Sequence, residues 1–272
     1  MQKTLTLIFI LLVNFSYSQN SIIKGIILDK NTNDSLPYVS IGILNKGIGT
    51  VSKSNGSFSL DTKNIQETDT VKFSFLGYKP LIFNIKTLKK ILNNNPNLKM
   101  EENIENLDEV IIISKKDWKE KTLGSETKST SMTMGFSSNL GSELGRKINI
   151  TKKQTHILKF NAHVALNTYE SIKLRLNFYT IKNGLPNEKI NTENIYVDFI
   201  DKSGSLTVNL EKYKLIVSND IIITLEWVDN YGDGQFRISS RLGTSGIKQK
   251  DSSEDNWRVL PFTLGYNIFV KY

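Results

Sequence analysis

Apolar residues between positions 20 and 100 recur at every second place, in runs too short for helices. Ile23, Gly25 and Ile27 alternate, then Val39, Ile41 and Ile43, then Phe58 and Leu60, then Val71, Phe73 and Phe75, then Leu81, Phe83 and Ile85. A period of two puts each set on one face of a strand. Turn formers separate the runs: Asn31 to Ser35, Gly47 with Gly49, Asn55-Gly56, and Gly77. Glycine adopts a positive φ without a Cβ penalty and asparagine tolerates it, so Asn55-Gly56 is the sharpest hairpin signal. Several short strands punctuated in this way argue for a β-sandwich or barrel. One brief helix is expected, at Thr87 to Asn93.

The pattern changes beyond residue 100. Residues 101–132 carry an acidic patch at Glu101, Glu102 and Glu105, then the continuous run Leu107 to Ser114, then a polar, Ser/Thr-rich stretch from Lys115 to Met132. The run at 107–114 reads as a strand, buried on both sides or pairing along a sheet edge. The stretch after it reads as a linker. Alternation returns over 133–272 in longer pieces, such as Leu158, Phe160, Ala162 and Val164. Leu174, Leu176 and Phe178 form another, with Lys173, Arg175 and Asn177 facing the other way. Further runs follow at Ile195–Phe199, Leu206–Leu210, Ile221–Trp227, Phe236–Ile238 and Ile268–Val270. Eight or so strands in about 140 residues fit a jelly-roll-like sandwich.

The first eighteen residues have a separate logic. Lys3 precedes a short apolar core from Leu5 to Val13, and Ser16-Tyr17-Ser18 places small residues where a signal peptidase cuts. The expectation is a signal peptide over 1–18, with Gln19 as the new N-terminus. The apolar core is too short for a spanning helix, which needs roughly 20 residues, and no transmembrane segment is expected after its removal. The chain has no cysteine, so an exported form must be stabilised by its cores alone. That suits a bacterial envelope protein better than a small disulfide-rich secreted domain. The expected location is therefore periplasmic, outer-membrane-associated or secreted. The formal net charge is +8, but only Arg146, Arg175, Arg237, Arg241 and Arg258 are arginines and none is interleaved with aromatics. A solvated lysine surface accounts for the charge, and no nucleic-acid partner is expected.

Particular residues carry a resemblance to a known family over residues 20 to 90. They are Gly25, Asp29, Leu36-Pro37-Tyr38-Val39, Gly47 with Gly49-Thr50, Asn55-Gly56-Ser57-Phe58, Asp69, and Phe75-Leu76-Gly77-Tyr78. This set resembles the carboxypeptidase-regulatory-like domain of Bacteroidetes surface and periplasmic proteins. The segment from Leu107 to Ile113 is similar to the strand that often follows such domains, including in TonB-dependent receptors. The resemblance implies a transthyretin-like β-sandwich of seven or so strands over 19–100, with a binding or scaffolding role and no peptidase domain. The fold expected for the chain is thus all-β, with two sandwiches, the second jelly-roll-like over 133–272. The residues after 133 are too few for a receptor's plug and barrel.

Catalytic chemistry finds no motif. A catalytic zinc usually takes three protein ligands, whereas His156 and His163 are the only histidines. Their odd separation would set them on opposite faces of a strand. There is no G-x-S-x-G, and Gly243-Thr244-Ser245-Gly246 reads as a loop. No phosphate-binding or dinucleotide fingerprint occurs. Paired carboxylates for glycosidic chemistry have no motif that would reveal them. Two binding signals remain. Asp229, Asn230 and Asp233 lie among glycines and offer oxygens to a structural calcium, and the same residues make a good hairpin turn. No other cofactor is expected. Of the aromatics Tyr169, Tyr179, Trp227, Tyr231 and Trp257, two lie in polar loops, Tyr231 and Trp257, and are the candidates for stacking on a ligand such as a sugar. Trp227 continues an alternating strand and reads as core. The function expected is a non-enzymatic, exported module that binds or scaffolds an envelope protein or glycan. The alternative is a hydrolase of an envelope polysaccharide or peptide, with its site in the second sandwich.

Overall fold

The computed structural model describes residues 22–103 and 117–272. The signal peptide expected over 1–18 and the strand expected over 107–114 lie outside the described residues.

The chain is an all-β sandwich fold with a single α-helix among the described residues. Seven strands come first: β1 (Ile22–Asp29), β2 (Ser40–Ile43), β3 (Ile48–Val51), β4 (Ser57–Asp61), β5 (Thr70–Ser74), β6 (Leu81–Asn84) and β7 (Asn97–Met100). They form two facing sheets, β4-β1-β7 and β3-β2-β5-β6. The alternating residues meet between them: Ile23, Ile27, Ile41, Phe58, Val71 and Phe73 are all buried in one cluster. Strand β7 pairs with β1 in parallel, which demands a crossover. The helix α1 (Ile85–Asn94) lies in that crossover, a little longer than the expected 87–93, and buries Ile85 and Leu88. The Asn84 side chain accepts the Thr87 N–H at 2.7 Å and caps it. At Asn55-Gly56 only the glycine takes a positive φ, +75°. Asn55 instead accepts the N–H and hydroxyl of Ser57 at 3.1 and 2.7 Å.

The remaining strands are β8 (Glu120–Gly124), β9 (Thr133–Gly135), β10 (Glu143–Ile148), β11 (Thr155–Asn167), β12 (Ser171–Lys182), β13 (Leu185–Lys189), β14 (Ile195–Phe199), β15 (Gly204–Asn209), β16 (Ile216–Val217), β17 (Ile221–Tyr231), β18 (Phe236–Lys250), β19 (Arg258–Leu264) and β20 (Tyr266–Lys271). All belong to one hydrogen-bonded network. The long β18 joins its two layers. Its first residues pair with β11 and β9, and its last with β10 and β19. The core between the layers includes Leu144, Phe160, Leu174, Phe178, Ile223 and Tyr266.

Three local expectations are corrected. The 115–132 linker contains β8, an edge strand paired with β20. It buries Leu123 in the core, and Trp118 packs on His156 with ring centroids 4.7 Å apart. His156 and His163 share the outer side of β11, because the register slips between Ile157 and Lys159 and reverses the parity up to a second slip between Val164 and Leu166. His163 there bonds the Ser239 hydroxyl at 2.8 Å. Residues 243–246 are not a loop but lie inside β18, at the irregularity between Leu242 and Ile247.

Candidate functional site

Two places concentrate polar chemistry. The first is the seam between the sandwiches. Gly42 and Gly49 are cross-strand partners on β2 and β3, and side chains there would collide with the tip that joins β18 to β19. A Cβ on Gly42 would lie 2.0 Å from the Ser253 carbonyl oxygen, and one on Gly49 would lie 2.7 Å from it. The pair forms a flat seat, and the tip rests on it. Glu254 at that tip accepts from Lys72 at 2.8 Å and from the Ser74 hydroxyl. Gly49, which the spacing reads as turn punctuation, is a docking residue instead.

Beside the seat, the outer faces of β12, β17 and β10 are covered by the first sandwich. Arg175, which alternation turns away from the core of its own sandwich, is 1% exposed. Its guanidinium grips Glu226 in a fork, Nε to Oε2 at 2.8 Å and Nη2 to Oε1 at 2.7 Å. It also crosses the seam to the Tyr38 carbonyl at 2.8 Å and the Ser40 hydroxyl at 2.7 Å. Burial alone would raise the Glu226 carboxyl. Arg175, with Lys189 behind it, outweighs burial and holds the group well below the usual carboxylate range. Glu143 faces Glu226 across β10 and β17. It takes bonds from Thr224 at 2.7 Å and Tyr179 at 3.1 Å, and pairs with Lys250. Asn177 donates to both acids, at 2.9 Å to Glu226 and 3.3 Å to Glu143. Each carboxylate oxygen of the two acids thus has a donor. Lys189 stands at the edge of this cluster, over the Tyr179 ring at 5.9 Å, and burial pushes its ammonium down to about 8. A cleft of about 350 Å³ opens here, with Lys189, Lys250, Glu254 and Trp257 among its walls.

The second place is one end of the larger sandwich. The turns after β11 and β17 meet there, tied by Thr168 N–H to the Gln235 carbonyl at 2.9 Å and Glu170 N–H to the Tyr231 carbonyl at 3.0 Å. Between them runs a groove of about 400 Å³ lined by Phe136, Tyr169, Trp227, Gln235 and Arg237. Trp227 stands between two other rings, with centroids 6.3 Å from Phe136 and 5.8 Å from Tyr169.

The sequence candidates distribute unevenly over these places. Tyr231 is 69% exposed beside the groove. Trp257 lies in the seam cleft, packed on Tyr179 at 5.9 Å with Lys250 over its face at 5.1 Å. Tyr231 pairs with Ser171, and Tyr179 sits eight residues further along β12, so the two candidates are about 26 Å apart at strand spacing and do not share a site. Asp229 accepts the Asn230 N–H at 2.9 Å and faces the Tyr38 hydroxyl at 3.5 Å. Asn230 closes the hairpin by donating to the Gly232 carbonyl at 2.8 Å. Among the described residues no group of three or more His, Asp or Glu could hold a metal ion. Trp227 packs against the core, as its alternation implies, and also lines the groove. Sequence reasoning missed the seam roles of Arg175 and Glu226, and did not single out Glu143, Gly42 or Phe136. A lone glutamate inside the apolar run of β17 and an arginine inside that of β12 were the available signal for the first two.

Comparison with known proteins adds the domain. Residues 23–112, over the first sandwich, match the family model of the CarboxypepD_reg-like domain. No curated protein matches the sequence. Among solved structures, the chain is similar to the cysteine protease and lectin-like domains of Cwp84, a surface layer associated protein of Clostridium difficile, at 11% identity and a TM-score of 0.39. The match covers 86% of this chain and 59% of that one. A Clostridial cysteine protease Cwp84 after propeptide cleavage gives 10% identity and a TM-score of 0.40, over 86% of this chain and 65% of that one. The infectious bursal disease virus Gx strain structure gives 7% and 0.30, over 92% and 55%. The chain spans less than two thirds of each.

Proposed function

We propose that this protein is a non-catalytic, exported module of the bacterial cell envelope that recognises a partner through the loop end of its larger sandwich. The observation that carries the reading is the contrast between its two polar places. The buried acids Glu143 and Glu226 are engaged on every oxygen by Arg175, Lys250, Asn177 and Thr224, which leaves none to act on a substrate. A general acid for glycosidic cleavage needs a raised carboxyl, whereas Glu226 is held low. The loop end, in contrast, presents an open groove with aromatic walls and polar edges, the usual make-up of a recognition site. Export is supported by the Lys3, Leu5–Val13 and Ser16–Ser18 pattern. In addition, no helix among the described residues is long and apolar enough to cross a membrane. The CarboxypepD_reg-like domain fits a scaffolding role.

The test is retention of envelope material on the immobilised chain, run beside Trp227→Ala and repeated in EDTA. The expected result is a retained component that the variant loses. EDTA sensitivity, reproduced without EDTA by Asp233→Ala, would assign a divalent cation to the Asp229–Asp233 loop. Retention unchanged by Trp227→Ala would remove the groove from the reading. Turnover on a polysaccharide or peptide panel that Glu226→Gln abolishes would replace the reading with the hydrolase.

A further inference from the structure

We propose that the loop-end groove binds a neutral pyranose glycan, with a sugar ring packed on the aromatic wall of Phe136, Tyr169 and Trp227 and its hydroxyls shared between Arg237 and Gln235. This deepens the recognition reading above and rests on it.

Three independent features point to that chemistry. The first is the shape of the aromatic wall. The rings of Phe136 and Tyr169 are tilted against Trp227 by 34° and 43°, so they flank the indole as an angled wall. A pyranose presents a flat patch of C–H bonds that suits such a ring face. The second is an orphan donor. The indole Nε1–H of Trp227 is buried with no hydrogen-bond partner among the described residues, and a buried donor without an acceptor is costly enough that native proteins rarely leave one. It has no surface open to the groove as the wall stands, so a ligand hydroxyl supplies the acceptor once the wall shifts to expose it. The third is the mixed polar rim. Arg237 is exposed, and among the described residues its guanidinium bonds the Gln235 side-chain oxygen alone, 3.4 Å from Nε. Its forked N–H groups are donors for a pair of hydroxyls. The Gln235 side-chain amide, on the same wall, offers an acceptor oxygen as well as a donor, and Asp233 precedes the lining Gly234 in the chain. A hydroxyl both donates and accepts, so a neutral sugar satisfies both kinds of rim group. An acidic glycan would meet Asp233 and, beside Gly232, the Glu170 carboxylate. The groove volume of about 400 Å³ suits a small-molecule site.

The probes are β-1,4-linked hexaoses of glucose, xylose, mannose and N-acetylglucosamine, with oligogalacturonate as the charged control. Binding to the full chain is followed by tryptophan emission and by titration calorimetry. At least one neutral hexaose is expected to bind saturably at millimolar or tighter concentration, and oligogalacturonate no better. Trp227→Phe should abolish the emission change and weaken binding about tenfold. Arg237→Ala, at an exposed position, should weaken it by a similar factor with the melting temperature unchanged. Absence of saturable binding by every neutral hexaose overturns the proposal, as does binding indifferent to both variants. Binding of oligogalacturonate alone overturns the neutral assignment and leaves a glycan site. Capture of an envelope protein that Trp227→Ala abolishes, with no hexaose bound, overturns the glycan and leaves the recognition reading standing.

Discussion

Replacing Arg175 by methionine tests the account of the seam. Methionine keeps the long apolar stem and removes the guanidinium. Four hydrogen bonds are lost, two to Glu226 and one each to the Tyr38 carbonyl and the Ser40 hydroxyl. What remains is a carboxylate 1% exposed to solvent, stripped of its only ion-pair partner among the described residues. Breaking a buried pair from one side costs about 3–5 kcal/mol. Lys189 and Lys250 also act on Glu226, which places the cost near the lower end, about 3 kcal/mol. For a chain of this size that is a melting-temperature loss of about 6–12 °C. The pH dependence carries a second signature. In the wild type the Glu226 carboxyl is depressed. Its contribution is complete above the unfolded value of about 4.3 and is lost as pH falls through the lower folded value. In the variant burial dominates and raises the carboxyl, so the penalty is greatest at neutral pH and shrinks as pH falls towards about 4.3. Adding Glu226→Gln removes the orphaned charge, keeps bonds to Ser40 and Asn177, and should restore more than half of the loss. Urea unfolding from pH 4 to 8 reads the wild type and both variants. A difference below about 1 kcal/mol at pH 7, or one constant across the series, would refute the seam as a buried-charge lock.

Gly42→Ala should drive a Cβ into the Ser253 carbonyl 2.0 Å away, unseating the tip at a cost of about 1–3 kcal/mol. Faster trypsin cleavage after Lys250 and Arg258 reports it, and unchanged cleavage with unchanged stability would contradict the seat. In the first sandwich, the Tyr78 phenol donates to Asp29 at 2.8 Å and is pushed up to about 12 by burial and then by that bond. A raised phenol contributes stability below the ordinary value of about 10 that is lost as pH climbs through the folded value, so Tyr78→Phe should flatten that part of the alkaline limb in a urea-midpoint series. Asp29 also accepts the Asn31 and Thr32 N–H groups at 2.6 and 2.8 Å and is held below its ordinary value. Asp29→Asn should lower the urea midpoint at pH 7 and reduce the fall in stability as pH drops below about 3.9.

Alternation was enough to reveal the first sandwich, because most of its strands keep one apolar face and one wet one, as β1 and β4 do; β2, buried throughout, is the exception. It was enough for most of the second as well, and for the same reason. It failed where a single residue decides the outcome. Strand β8 has one inward apolar residue, Leu123, too few to stand out from a polar linker. The two histidines change their relation through one slip in register, which leaves no mark in composition. The seam failed for a different reason. Lys173, Arg175 and Asn177 alternate with apolar residues just as a solvated face does, and nothing local says that a second sandwich covers that face. Burial of Arg175 depends on residues more than 130 positions away. The glycines show the same ambiguity. Gly47 turns the chain with φ +64°, while Gly49 two residues later serves close approach. One residue type answers both demands, and only the partner surface distinguishes them.

The chemistry of the seam also bears on how the molecule presents its groove. An apolar interface tolerates sliding, since its energy follows area and not direction. Here the contacts are directional. A forked guanidinium reaches a carbonyl and a hydroxyl of the first sandwich, Glu254 reaches back to Lys72 and Ser74, and the glycine seat admits the tip in one position. Such a set adds little net stability over an apolar alternative, yet it fixes one relative placement of the two sandwiches. The first sandwich thereby runs along β12 and β17, from Tyr38 beside Asp229 to Lys72 and Ser74 on Glu254, while the groove opens at the loop end where Tyr169, Trp227 and Arg237 gather. If the first domain is held elsewhere in the envelope, the groove inherits a fixed orientation from it. Arg175→Met should then weaken retention of an envelope partner that bridges both sandwiches while leaving the affinity for a free hexaose unchanged, and equal loss of both would mean that the seam shapes the groove itself.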